Sequence, residues 1–165
     1  FPFIKKKNFR VLKETKILHQ KRKDLSKIQI IEFSILFLIL NYYDIVSKKV
    51  TDLSKIEFLS DKNENFKNVI IKLISEGKDE KELKLKIENE YKKLLEEIKE
   101  NSNIQLIANG KNDENIIEML DELITDFKEQ SNLKKIESLE KKLINNLDEN
   151  SYSELIKLKS QLNRD

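Results

Sequence analysis

The stretch IIEFSILFLILNYY, residues 30–43, decides how this chain folds. Its first eleven residues hold a single carboxylate, Glu32, and a single hydroxyl, Ser34, in a chain that is 38% charged. A membrane-spanning helix needs about 20 apolar residues. This run is bracketed by Gln29, Asn41 and Asp44, so it is too short to span. It is internal and has no small-residue cleavage site, so it is not a signal peptide. A helix that is apolar nearly all round is a buried one. The stretch therefore predicts the central helix of a bundle, from about residue 26 to residue 43, with Ser26 as its N-cap.

Composition points the same way. The 165 residues suit one domain, or one with a small appendage. A chain of this length buries roughly 70% of its unfolded surface and needs no covalent staple. The absence of cysteine excludes disulfides and thiolate metal sites. Gly77 and Gly110 are the two glycines and Pro2 the one proline. So few helix breakers, beside so much Lys, Glu, Leu and Ile, predict an all-α fold. The chain opens on Phe1 rather than Met, which suggests a piece of something longer.

The net charge of +2 is unevenly spread. Residues 1–28 hold ten basic and two acidic side chains, a balance of +8, which leaves −6 for the rest. A basic arm ahead of a mildly acidic body can touch nucleic acid; the plainer reading is a solvated linker. Within the arm, Phe9, Leu12, Ile17 and Leu18 give only a loose helical period.

After the buried run, DIVSKKVTDL reads as a short helix with Ile45, Val46 and Val50 to one side. A loop is expected at 60–63. A helix follows with Phe66, Ile70, Leu73 and Ile74 at core spacing, stopped by Gly77. Leu83, Ile87, Tyr91, Leu94, Leu95 and Ile98 then form one stripe, carried by one helix or two short ones. NSNIQLIANGKND reads as a loop anchored by Ile104, Leu106 and Ile107, and Asp113 as the cap of the next helix. Glu114 suits that helix's first turn.

From 113 to about 146 the helical signal hardly breaks, yet its apolar face changes. On a helical wheel with Ile116 at zero, Ile117, Met119, Leu120, Leu123, Ile124 and Phe127 fall between about −60° and +100°. Leu133, Ile136, Leu139, Leu143 and Leu147 fall between about 140° and 260°. The stripe switches sides near KEQSN, residues 128–132, so one long helix serves two packing partners. The switch predicts an exposed seam there, where the helix bends or frays. The second partner is the last segment, ENSYSELIKLKSQLNRD, in which SYSE reads as a capping box. Three parts result: a basic linker or loose helix at 1–26, a helical bundle at 27–128 and a C-terminal helical hairpin at 129–165.

Signs of catalysis are missing. His19 has no second imidazole. No Gly-rich phosphate loop, paired-histidine zinc motif or nucleophile elbow is present. The carboxylate pairs Glu96–Glu97 and Asp121–Glu122 read as solvated helix faces. No catalytic site, cofactor or metal is expected, so function is sought in surfaces the fold does not need.

The order of elements resembles the C-terminal, helicase-binding domain of bacterial replicative DNA primases. The match is best in IEFSILFLILNYYDIV. In that family an Arg-Glu pair opens an apolar helix of pattern LLxxLLNHPELL; Glu32, Leu36, Leu40, Asn41 and Ile45 fit it. Ile31 replaces the usual arginine, and Tyr42-Tyr43 replaces His-Pro. Phe58, Leu59, Phe66, Ile70 and Leu73 match the next segment, and Glu154, Leu155, Leu158 and Leu162 the closing helix. The resemblance covers about residues 27–165. It implies a non-catalytic part of a DNA primase, cytoplasmic and without a membrane anchor, with zinc-binding and RNA-polymerising domains elsewhere. It implies docking on the N-terminal domains of the ring-shaped replicative helicase, and single-stranded DNA-binding protein as a further candidate partner.

Two other classes compete: a nucleic-acid-binding helical protein acting through the basic arm, and a structural helical adaptor. The arm's aromatics are Phe1, Phe3 and Phe9, a thin stacking platform. For the helicase reading the candidate contacts lie on the last helix. Leu155, Leu158 and Leu162 span only about 60° of its wheel and face Ile136, Leu139 and Leu143. Tyr152, Ile156, Lys159 and Asn163 share one neighbouring side as a partly apolar strip. Its Tyr152 and Ile156 either edge the hairpin's core, pack on the bundle or fill a groove between helicase domains.

Overall fold

The computed structural model describes residues 25–102, 104–145 and 148–162. The expectations for the basic arm and His19, and those for Leu147, Asn163 and the side chains of Leu106 and Leu162, lie outside the described residues. Within them the protein is all-α. Its helices are α1 (Lys27–Asn41), α2 (Tyr43–Ser54), α3 (Asp61–Ser75), α4 (Glu80–Asn101), α5 (Gln105–Ala108), α6 (Asp113–Asn145) and α7 (Glu149–Leu162). None of them is long and apolar enough to cross a membrane.

The apolar run forms α1 and is buried from Ile31 through Ile39. Ser26 caps it reciprocally: its hydroxyl accepts from the Gln29 amide, while the Gln29 side chain accepts from the Ser26 amide. The buried Ser34 hydroxyl donates to the Ile30 carbonyl at 2.9 Å, so it needs no partner outside its own helix. Helices α2, α4 and α6 pack around α1, and α3 packs on α2 and α4.

Tyr42 separates α1 from α2, with φ −132° and ψ 60°. The break survives without proline because both tyrosines are tied down. The Tyr42 hydroxyl donates to the Ala108 carbonyl and the Tyr43 hydroxyl to the Lys78 carbonyl. At the end of α3, Gly77 takes φ 74°, its amide donates to the Ile74 carbonyl, and Lys78 N donates to the Leu73 carbonyl. This paired closure satisfies the last carbonyls and requires the left-handed conformation that glycine adopts freely.

Several local expectations need correction. The loop expected at 60–63 ends at Ser60, because α3 begins at Asp61. Leu59 is 41% exposed, and Phe58 is the core residue there. The stripe at 83–98 keeps to expectation: two helical pieces meet within α4 at a kink at Tyr91, φ −124°, whose ring packs on Phe66 at 4.9 Å between centroids. Within 102–110, Ile104 and Ala108 are buried but Ile107 is 56% exposed, since the short α5 turns it outward. Asn112, not Asp113, caps α6: its side-chain oxygen accepts from the Asn115 amide at 3.0 Å. The last helix starts at Glu149 rather than after Ser151. Its cap is Asp148, whose carboxylate accepts from both the amide and the hydroxyl of Ser151, and these bonds lower its pKa.

The long helix does change partners. Ile116, Leu120, Ile124 and Phe127 are buried in the main core with α1. Ile136 and Leu139 form a separate small core with Leu155, edged by Leu143 and Leu158. Leu133, expected in that core, is 39% exposed. The seam also differs from expectation. Lys128 and Glu129 are exposed, but Ser131 is buried, and α6 runs helical through the switch. A serine is small enough to sit against the bundle where the apolar stripe has already turned away.

Candidate partner-binding face

The candidate residues of the last helix divide by environment. Tyr152 is 55% exposed and Ile156 51% exposed, so each keeps about half of its side chain open to solvent. Lys159 is exposed and pairs with Glu140 of α6 at 2.7 Å. An exposed pair of this kind contributes little stability. Its value here is geometric, because it shows which side of α6 adjoins the strip on α7.

On the wheel of α7, Lys159, Tyr152 and Ile156 lie about 40°, 60° and 100° from Leu155. On the wheel of α6, Leu133, Glu140 and Ile144 lie within about 40° of one another. Since Glu140 reaches Lys159, the two arcs belong to one face of the hairpin. That face exposes Leu133, Ile144, Tyr152 and Ile156 along with the ion pair. Among the described residues, Ile144, at 82%, is the most exposed of the large apolar side chains.

Sequence reasoning missed Ile144. It falls about 100° from Leu143, so it drops off the stripe that defines the hairpin's core. The available signal is that an isoleucine off both stripes of a two-sided helix has no interior left to enter. Leu133 lies about 120° from Leu139, at the edge of the inward arc, which is why it ends up on the open face.

Α second polar cluster sits inside the bundle. Glu32 of α1 is fully buried and accepts from Leu59 N at 2.6 Å, Ser60 N at 3.3 Å and Asn63 Nδ2 at 2.8 Å. Burial pushes its pKa up and these hydrogen bonds pull against that rise. Glu64 accepts from Phe58 N at 2.7 Å and pairs with the buried Lys67 at 2.8 Å. Burial raises the Glu64 pKa, but the Lys67, Phe58 and Asn68 hydrogen bonds outweigh it and hold the carboxyl below its ordinary value. Lys67 also donates to the Ile56 carbonyl and lies over the Phe58 ring. Every one of these groups is satisfied within the fold, so the cluster is structural.

The paired carboxylates are not plain solvated faces either. Glu97 of α4 pairs with Lys62 of α3 at 2.7 Å, and Asp121 of α6 pairs with Lys49 of α2 at 2.8 Å. Each tie crosses between helices, whereas Glu96 and Glu122 stay exposed.

No protein-family model, curated protein or solved structure matches the chain.

Proposed function

We propose that this chain is a non-catalytic interaction module of a bacterial DNA primase. In this reading it docks on the N-terminal domains of the replicative helicase and so couples primer synthesis to unwinding. The order of helices supports the reading: a bundle built round one apolar helix, then a hairpin strung on a long shared helix. The observation that carries it is the apolar face of the hairpin, with Ile144, Tyr152 and Ile156 left uncovered. Exposed apolar residues gathered on one face mark an interaction site. In docking, Tyr152 and Ile156 fill a groove of the partner, and Lys159 sits at its polar rim.

A salt titration separates this function from nucleic-acid binding. Binding of a helicase N-terminal domain through an apolar face changes little with salt. Binding of single-stranded DNA through about eight positive charges weakens steeply, because it depends on counterion release. Salt-insensitive helicase binding supports the proposal. Binding to DNA alone overturns it, and binding to neither leaves a structural adaptor.

A further inference from the structure

The hairpin reaches the bundle through α6, so its orientation depends on how firmly α6 is held where it leaves the bundle. Phe127 is the last α6 side chain in the main core. Its ring meets Phe58 edge-on, 5.4 Å between centroids. Phe58 belongs to the connection between α2 and α3, which has no helical hydrogen bonds of its own to fix it. The fixing comes from the polar cluster. Glu32 holds Leu59 and Ser60, Glu64 holds Phe58, and Lys67 holds Ile56 and covers the Phe58 ring.

We infer that Glu32, Glu64 and Lys67 form a latch that holds the 55–60 connection against Phe127 and thereby sets the direction in which the hairpin projects. Two features of the geometry support this. First, Glu32 meets three donors, two of them backbone amides, across the gap between α1 and the start of α3. Ser60 makes no side-chain cap of its own, so α1 supplies what the N-terminus of α3 lacks. Second, α6 is a lever. About 27 Å of helix lies between Phe127 and Asn145 at 1.5 Å per residue. A pivot of about 10° at Phe127 therefore moves the far end by about 5 Å. With the latch released, the last large apolar anchor of α6 in the bundle is Ile124, one turn earlier, and only the small buried Ser131 remains beyond Phe127. The inference concerns the geometry of the fold and stands whether or not the partner is a helicase.

The chain has no native cysteine, so paired spin labels can be placed at will. Labels at Lys72→Cys and Lys141→Cys, both exposed, report the bundle-to-hairpin distance. Labels at Lys72→Cys and Lys86→Cys report the bundle alone. Glu32→Gln keeps the shape but replaces one acceptor oxygen with a donor. It should broaden the first distribution by about 4 Å, the shift that a pivot of about 10° gives at Lys141, about 21 Å beyond Phe127, and leave the second unchanged. Phe58→Leu leaves the carboxylates intact and removes the ring contact with Phe127; it should broaden the first distribution in the same way. It decides the question alone if Glu32→Gln does not fold. Ile87→Ala, a core truncation on α4, controls for general loosening and should broaden neither. An unchanged bundle-to-hairpin distribution in the latch variants overturns the inference, and so does equal broadening by Ile87→Ala.

Discussion

Glu140 of α6 and Lys159 of α7 meet at 2.7 Å, and this contact turns two separate helix arcs into one surface. The surface gathers Ile144 from one helix with Tyr152 and Ile156 from the other. These side chains are half exposed or more, so truncating them removes little of the fold. Ile144→Ala should change unfolding stability by no more than about 0.5 kcal/mol. If Ile144 serves the proposed docking face, the same variant should weaken partner binding by more than about 1 kcal/mol. Denaturant unfolding and a binding titration on one preparation check both halves.

The centre of the fold should respond in the opposite way. Leu36 is fully buried in α1, so Leu36→Ala should cost roughly 2–5 kcal/mol. Leu40 is only partly buried and should cost less. Equal losses in urea unfolding would contradict the burial difference.

Gly77 tests backbone rather than packing. A Cβ there would meet nothing within 4 Å, so the strain of Gly77→Ala comes from φ 74° alone. An alanine held in that left-handed region costs about 1–2 kcal/mol. Thermal unfolding should show that loss, and a neutral effect would mean α3 can end in another way.

Much of this architecture is legible in the sequence because the decisive signals are local. An apolar run with one carboxylate fixes α1. The glycine at 77 fixes the end of α3, and the change of stripe after Phe127 shows that α6 has two partners. What escapes is whatever depends on contacts between distant segments. Nothing near Glu32 in the sequence says that its oxygens will cap the start of α3, some 30 residues away. The Asp148 cap is hidden in the sequence because Ser151 offers an equally good local signal, and only the backbone shows which is used. A helical wheel puts Ser131 on the seam because it is polar, although its size lets it pack. At the candidate face, Tyr152 and Ile156 could be found from one helix, but Ile144 needed the pairing of two.

The two carboxylates of the latch should titrate with opposite effects on stability. Glu64 has a folded pKa below its ordinary 4.5, so its contribution is present above that value and is lost as pH falls through the lowered pKa. Glu32 has a folded pKa above 4.5, so its contribution is full below 4.5 and is lost as pH rises through the raised pKa. Relative to Glu64→Gln, the wild type should lose its advantage on acidification. Relative to Glu32→Gln, its advantage should shrink as pH rises. Unfolding curves collected across the acid range for both variants would show the opposed slopes, and parallel slopes would contradict the assignment.

The most direct test of the proposed function is the affinity of a helicase N-terminal domain for the whole chain and for the double variant Ile144→Ala, Ile156→Ala, measured by calorimetry. Circular dichroism should first show that the double variant keeps its helices. Tight binding by the wild-type chain and a loss of more than about 1 kcal/mol in the double variant are expected. Wild-type affinity in the folded double variant, or no binding by the wild-type chain, would contradict the proposed function.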